Sequence, residues 1–346
     1  MDRVIGKGNE RTLVPDITVE SHGGDTQLFG YRPHRKTDRR ICVSDGNRSS
    51  DDVIDFEPRP RPRRRRASLH DGNQVEVEIQ GKGPFLLIPV SSTPVEGEAA
   101  EEMRRWGADP ALGRSLIEGL RDMVTVVAFD YEGHVLAAPK PDTLTPSNIS
   151  SDVLAVADAA GAATFAYYGY SWLALGMQLA IRTDRLTALI MGGFPPLDGP
   201  YAEMLEVTAA TYRVAAEPGP VHPPTNGPSE PGDWSTFEFD MAEPQARQFL
   251  TLYTNLQEFD ERRALSQLDC PRLCFAGSED EIVYDERWGG THVSIARPLE
   301  DNHGELETDG WSVRLLEGLD HTQAMQPDNV LPVIRPWLAA ELVRPG

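Results

Sequence analysis

A glycine and a serine two residues apart, Gly169 and Ser171, separate a short apolar run from a helical pattern, and that placement can make a nucleophile. In Tyr167-Tyr168-Gly169-Tyr170-Ser171-Trp172-Leu173-Ala174 a buried strand runs into Gly169 and a helix starts at once after the serine. A turn this tight leaves no room for a side chain two residues before the serine, and glycine meets that need. The serine then projects from the carboxyl edge of a sheet. There the start of the next helix offers N–H groups and a partial positive charge to an oxyanion. The same residues also suit a serine that only caps the helix start. Two more chemistry-bearing residues follow predicted strands. Asp280 lies in Gly277-Ser278-Glu279-Asp280-Glu281-Ile282, and His321 in Leu319-Asp320-His321-Thr322. Taken singly, they read as a solvated acidic turn and a surface histidine.

Together these residues resemble the α/β-hydrolase superfamily, and the likeness extends over residues 68–342. Family members run nucleophile, acid, histidine along the chain. Ser171, Asp280 and His321 match that order. The resemblance implies a hydrolase that cleaves a carboxylic ester, or a related acyl bond, of a small molecule through an acyl-serine, with no cofactor and no metal. Ser171 would be the nucleophile, His321 the general base and acid, and Asp280 the group that orients the imidazole. It also implies an oxyanion hole built from the backbone N–H groups of Trp172 and of a residue in the loop after the strand at 85–90, where Pro89 has no N–H and Val90 or Ser91 is the candidate, Ser91 fitting the family alignment better. Two departures from the family pattern stand out. Leu173 occupies the position where a second glycine or another small residue is usual, and Pro89-Val90-Ser91-Ser92 replaces a His-Gly pair. Both motivate an alternative from another class, a non-catalytic ligand binder that keeps the fold. Acyl transfer to an acceptor other than water is the alternative among enzymes. Asp130-Tyr131-Glu132-Gly133-His134 resembles the family's Asp-Gly-His turn, where Asp130 would pin the backbone.

Elements to hold these residues are visible in the pattern. Val75, Val77 and Ile79 alternate with polar residues as in a half-buried strand. Continuous apolar runs at 85–90, 123–130, 164–168, 186–191, 272–276 and 313–316 predict buried strands. Helical patterns at 98–122, 148–160, 172–182 and 329–342 alternate with them, so the expected fold is α/β, a doubly wound and mostly parallel sheet. Residues 194–268 break the alternation with no buried strand. They offer helices near 201–216 and 244–268 around a Pro/Gly-rich stretch at 218–232, and read as a helical lid. Tyr167, Tyr168, Phe194, Trp234, Phe237 and Phe239 are candidates for an apolar pocket, or for plain core.

The chain has 346 residues and a formal charge of −21, which disfavours nucleic acid and anionic membranes as partners. The charge is uneven. Residues 1–66 hold 15 Lys/Arg against 11 Asp/Glu, and the remaining 280 hold 18 against 43. Residues 57–66, EPRPRPRRRR, cannot pack a core, so residues 1–66 are expected to be a disordered basic extension and 67–346 the folded domain, with its lid at about 194–268. Cys42, Cys270 and Cys274 make no disulfide framework, and no histidine or cysteine spacing suggests a metal. Gly81 and Gly83 lack the third glycine of a dinucleotide site. With no long apolar run and no leader-like start, a cytoplasmic protein is expected.

Overall fold

In the computed structural model, residues 61–217 and 241–342 are described. The chain enters through an antiparallel pair, β1 (Arg63–Ser68) and β2 (Gln74–Gly81), then β3 (Phe85–Ile88). Two helices, α1 (Glu98–Arg105) and α2 (Leu112–Leu120), lead to β4 (Thr125–Ala128), α3 (Tyr131–Ala137) and α4 (Pro146–Ala160). β5 (Phe165–Tyr170) is followed by a single 3-10 turn, Ser171–Leu173, then α5 (Gly176–Ala180) and β6 (Leu186–Gly192). Three helices, α6 (Tyr201–Ala216), α7 (Glu243–Leu256) and α8 (Glu261–Leu265), precede β7 (Arg272–Gly277). A small hairpin, β8 (Glu281–Val283) and β9 (His292–Ser294), comes next, with α9 (Ala296–Asp301) and α10 (His303–Thr308). β10 (Trp311–Leu316), α11 (His321–Ala324) and α12 (Pro327–Glu341) close the chain.

Eight strands form one sheet in the order β1-β2-β4-β3-β5-β6-β7-β10. From β4 onward all neighbours run parallel; β1 and β2 are antiparallel additions at one edge. Alternate residues of each strand feed opposite faces, so both faces bury apolar side chains. Leu86, Ile88, Val126, Tyr168 and Ile190 pack with α2 and α12 on one side. Leu87, Val127, Phe165, Tyr167 and Leu189 pack with α4, α5 and the α6–α7 pair on the other. The expected α/β architecture is therefore the observed one. Among the described residues, no helix is long and apolar enough to cross a membrane.

The differences have local causes. The helix expected over 98–122 is two helices, because Gly107, with φ +74, and Pro110 interrupt it. Pro332 and Pro336 lie inside α12, which continues through them. The Pro/Gly-rich stretch at 218–232, with Trp234, Phe237 and Phe239, lies outside the described residues, as do residues 1–60 with Cys42.

The boundary at residue 66 needs correction. Arg63–Arg66 does not belong to a disordered arm; it forms most of the edge strand β1. The run cannot form a core, but an edge strand does not require one. Its backbone pairs with β2, Arg64 and Arg66 reach Glu76, and Arg64 also reaches Glu78. Glu78 is buried, with a side chain 5% exposed, and gathers Arg114 at 2.9 Å, Gln80 at 2.7 Å and Ser92 at 3.0 Å. Burial pushes its carboxyl up, but the hydrogen bonds from Gln80, Arg114 and Ser92, with the Arg114 charge, outweigh burial and leave it below its ordinary value. A depressed folded-state value stabilises the fold above the unfolded-state pKa, and that stabilisation is lost as pH falls through the folded value. Glu78→Gln should therefore lower the urea midpoint at neutral pH and shrink the further drop on going to about pH 3. An unchanged drop would show that Glu78 takes no part in the acid sensitivity.

Candidate active site

The register of the parallel strands decides which loops meet. β5 lies between β3 and β6, and β7 between β6 and β10, so the loops leaving β3, β5, β6, β7 and β10 emerge along one carboxyl edge. Ser171 begins the 3-10 turn after β5 with φ +55, in the left-handed region that a serine seldom occupies. The cause is the reversal itself. A Cβ on Gly169 would collide with the carbonyl oxygen of Leu173, so the chain turns back across the glycine. The Tyr167 hydroxyl donates to that same carbonyl at 2.8 Å and fixes it.

Leu173 does not obstruct the turn. It is buried in the core, and the regular helix starts three residues later, at Gly176. A Cβ on Gly176 would strike the Leu189 side chain of β6, so the close helix-to-strand approach falls there instead. The helix expected over 172–182 is accordingly a 3-10 turn followed by the short α5.

Asp280 and His321 are brought together by β7 and β10, paired in parallel up to Gly277 and Leu316. Beyond the strands the two loops are tied by Ser278 N–H to the Leu316 carbonyl at 3.0 Å and Glu279 N–H to the Leu319 carbonyl at 3.0 Å. Gly318 N–H also donates to the Ser278 hydroxyl at 2.8 Å. The Leu319 carbonyl passes over Gly277 so closely that any side chain there would clash. Asp280 is fully buried, and its carboxylate lies 2.8 Å from Nδ1 of His321. An ionised carboxylate only accepts, so Nδ1 carries the proton and Nε2 is left to accept. Nε2 is 3.0 Å from the Ser171 hydroxyl. Burial alone would push His321 down; the charge and hydrogen bond of Asp280 outweigh it, and the net direction is up from 6.5. Asp280 itself is pushed up by burial, with His321 opposing.

A cavity of about 1100 Å³, the solvent at its mouth included, opens over Ser171 and His321. Met204 of α6 and Tyr253 of α7 form part of its wall, as do Ile282, Tyr284 and Val293 of the hairpin region. Tyr168 and Phe194 also line it, whereas Tyr167 belongs to the core. Trp172 lines the cavity, and its backbone N–H lies in the first turn after the serine, where helical N–H groups have no intrahelical acceptor.

Ser91 is not brought to this cavity. It lines a separate polar recess with Arg64, Glu78 and Ser92, and its carbonyl packs over Gly113. The Ser171 cavity instead takes Ile88, Pro89 and Val90 from that loop, and the Val90 N–H donates to the Ile88 carbonyl at 2.9 Å. Asp130 pins its turn as expected, accepting from Gly133 N–H at 2.8 Å.

Three residues of the site had no sequence signal of their own. The Tyr170 hydroxyl donates to the His321 carbonyl at 2.7 Å, its ring 5.2 Å from the imidazole. Gly193, with φ +60, leaves space that a Cβ would take from Tyr170 and His321. Its only trace in the sequence is the Gly192-Gly193 pair at a strand end. Glu132 faces the cavity and receives a 3.4 Å hydrogen bond from the Trp172 indole. Among the described residues, no group of three or more His, Cys, Asp or Glu side chains is placed to hold a metal ion.

No protein-family model matches the chain, and no curated protein does. Solved structures do. A thermophilic esterase from Thermogutta terrifontis, with malate bound, is 17% identical over 82% of this chain and 99% of its own, with a TM-score of 0.51. A mutant of the N-acyl homoserine lactonase AidH, complexed with N-hexanoyl homoserine, is 13% identical over 83% of this chain and 99% of its own, also at 0.51. The chain has the α/β-hydrolase fold.

The left-handed backbone at Ser171 has a measurable cost. Ser171→Gly and Ser171→Ala both remove the hydroxyl, but only glycine relieves the strain, so the glycine variant should be the more stable by about 1 kcal/mol. Equal denaturation midpoints for the two would contradict a strained turn.

Proposed function

We propose that this protein is a serine hydrolase that cleaves a carboxylic ester, or a related acyl bond, of a small molecule. The observation that carries the reading is the chain of contacts from the Ser171 hydroxyl to His321 Nε2 at 3.0 Å and from Nδ1 to Asp280 at 2.8 Å, open to a largely apolar cavity. The esterase and the lactonase of like fold add support by analogy only.

In this reading Ser171 Oγ attacks the acyl carbonyl while Nε2 of His321 takes the hydroxyl proton. Buried Asp280 stabilises the imidazolium that forms and holds its orientation. The Trp172 N–H, at the start of the turn, donates to the oxyanion of the tetrahedral intermediate. When that intermediate collapses, His321 returns the proton to the leaving group and the acyl-serine remains. A water then gives its proton to His321, attacks the acyl carbon and releases the acid, restoring the serine.

A tagged fluorophosphonate should label the protein, and Ser171→Ala and His321→Ala should each abolish labelling. Each should also lower kcat/KM on an ester by about a thousandfold or more. Folded wild-type protein that takes no label would overturn the proposal. A second test is the pH profile. Because His321 must be neutral to act as base, and Asp280 raises it above 6.5, the acid limb of kcat/KM should fall at a pH above that value. Asp280→Asn removes the carboxylate, leaves burial to act alone, and should move the limb to lower pH along with a large loss of rate.

A further inference from the structure

Among the described residues, Glu132 is the one carboxylate in the wall of the cavity. It stands in the first turn of α3, just past β4, so it reaches the same carboxyl edge as Ser171. A structural role at the helix start is already filled, since Asp130 is the N-cap and accepts from Gly133 N–H. The hydrogen bond Glu132 receives, from the Trp172 indole at 3.4 Å, is long. Among the described residues, no lysine or arginine lines the cavity to neutralise it. Six aromatic residues line the same cavity, Tyr168, Tyr170, Trp172, Phe194, Tyr253 and Tyr284, and the faces of such rings attract cations. Asp280 stands behind His321 and is not part of the cavity wall. Residues 67–346, with 43 acidic against 18 basic side chains, bias approach toward cations and away from anions.

We infer that Glu132 and the aromatic wall form a cation subsite, and that the acyl substrate carries an alkylammonium group. The inference rests on the serine-hydrolase reading for the bond cleaved, but not for the binding. An ammonium beside Glu132 supplies the missing countercharge, while its alkyl groups lie against the aromatic rings. Burial, with Asp130 adding, pushes the Glu132 carboxyl up to about 7. A bound cation reverses that, so binding near neutral pH releases a proton. The other titratable groups at the subsite are His321, backed by Asp280 on the histidine and acid loops, and Tyr168, Tyr170, Tyr253 and Tyr284 in the cavity wall, with Asp130 on Glu132's own turn acting through its charge from the separate polar recess. A release that survives loss of Glu132 would belong to that set.

Two butyrate esters of equal shape test the subsite, one of 2-(dimethylamino)ethanol and one of 3-methylbutanol. Their binding to the Ser171→Ala full chain is read by calorimetry in two buffers of different ionisation heat at pH 7. The ammonium ester should bind about tenfold tighter or more and release a proton. Adding Glu132→Gln should abolish both the preference and the release, and Glu132→Asp should keep part of the preference, which shows that the fold tolerates change at this position. Equal or tighter binding of the neutral ester, binding of neither ester, or a preference that survives Glu132→Gln would each overturn the inference. Turnover by the wild-type chain is a separate readout. Selective binding without turnover would sink the hydrolase reading and leave the cation subsite standing.

Discussion

The site depends on one recurrent constraint, a backbone carbonyl passing over a glycine Cα at the carboxyl edge of the sheet. It occurs at Gly169 under the Leu173 carbonyl, at Gly277 under that of Leu319, and at Gly113 under that of Ser91. In each case the approach is too close for any side chain, so the loop is located by the glycine beneath it. The first forces Ser171 into its left-handed conformation, the second sets the acid loop against the histidine loop, and the third packs the loop after β3 onto α2. Sub-ångström hydrogen-bond geometry between residues 41 and 150 positions apart thus rests on backbone contacts, which are stiffer than side-chain packing. The strands supply the coarse placement and the glycines the fine one.

Electrostatics then decides what the assembled groups can do. Asp280 is costly to bury, and His321 is the partner that makes the burial tolerable by donating from Nδ1. That donation leaves Nε2 as the acceptor toward Ser171. Tyr170 holds the backbone of His321 from the other side through its hydroxyl, so the imidazole is fixed by its main chain and by its ring. Glu132, in the cavity wall, receives only a long hydrogen bond from the Trp172 indole, and the contrast with Asp280 behind His321 is what gives it meaning. One is matched to a donor within the fold, and the other faces the space that a ligand would fill.

Most of the sheet was legible because its parallel strands are continuous apolar runs, and such runs need little context to be recognised. Ser171, Asp280 and His321 were legible because each lies just past one of those runs. What the sequence concealed had identifiable causes. Arg63–Arg66 has the composition of a solvated tail, and becomes a strand only because Glu76 and Glu78 lie across from it on β2. The β8–β9 hairpin is three residues on each side, too short for its alternation to stand out, yet Ile282, Tyr284 and Val293 reach the cavity from it. Tyr170 does its work through a hydroxyl aimed at a residue 151 positions away, and no local pattern encodes that. Ser91 was assigned by family position alone. Pro89 bends the loop so that the next N–H closes on the Ile88 carbonyl, and the serine beyond it faces a different recess.

The displacement of the small residue after Ser171 shows how the family pattern and the physics separate. The pattern asks for a small side chain two residues past the serine, where a regular helix would press on the next strand. Here the chain makes a 3-10 turn first, which rises faster per residue than an α-helix and carries Leu173 into the core. The α-helix begins three residues later, and the place where it crosses β6 most closely is occupied by Gly176 against Leu189. The steric requirement is the same and has moved along the chain with the helix start. A leucine at the usual glycine position is therefore compatible with the tight turn at Ser171, and this departure from the family pattern leaves the turn's geometry intact.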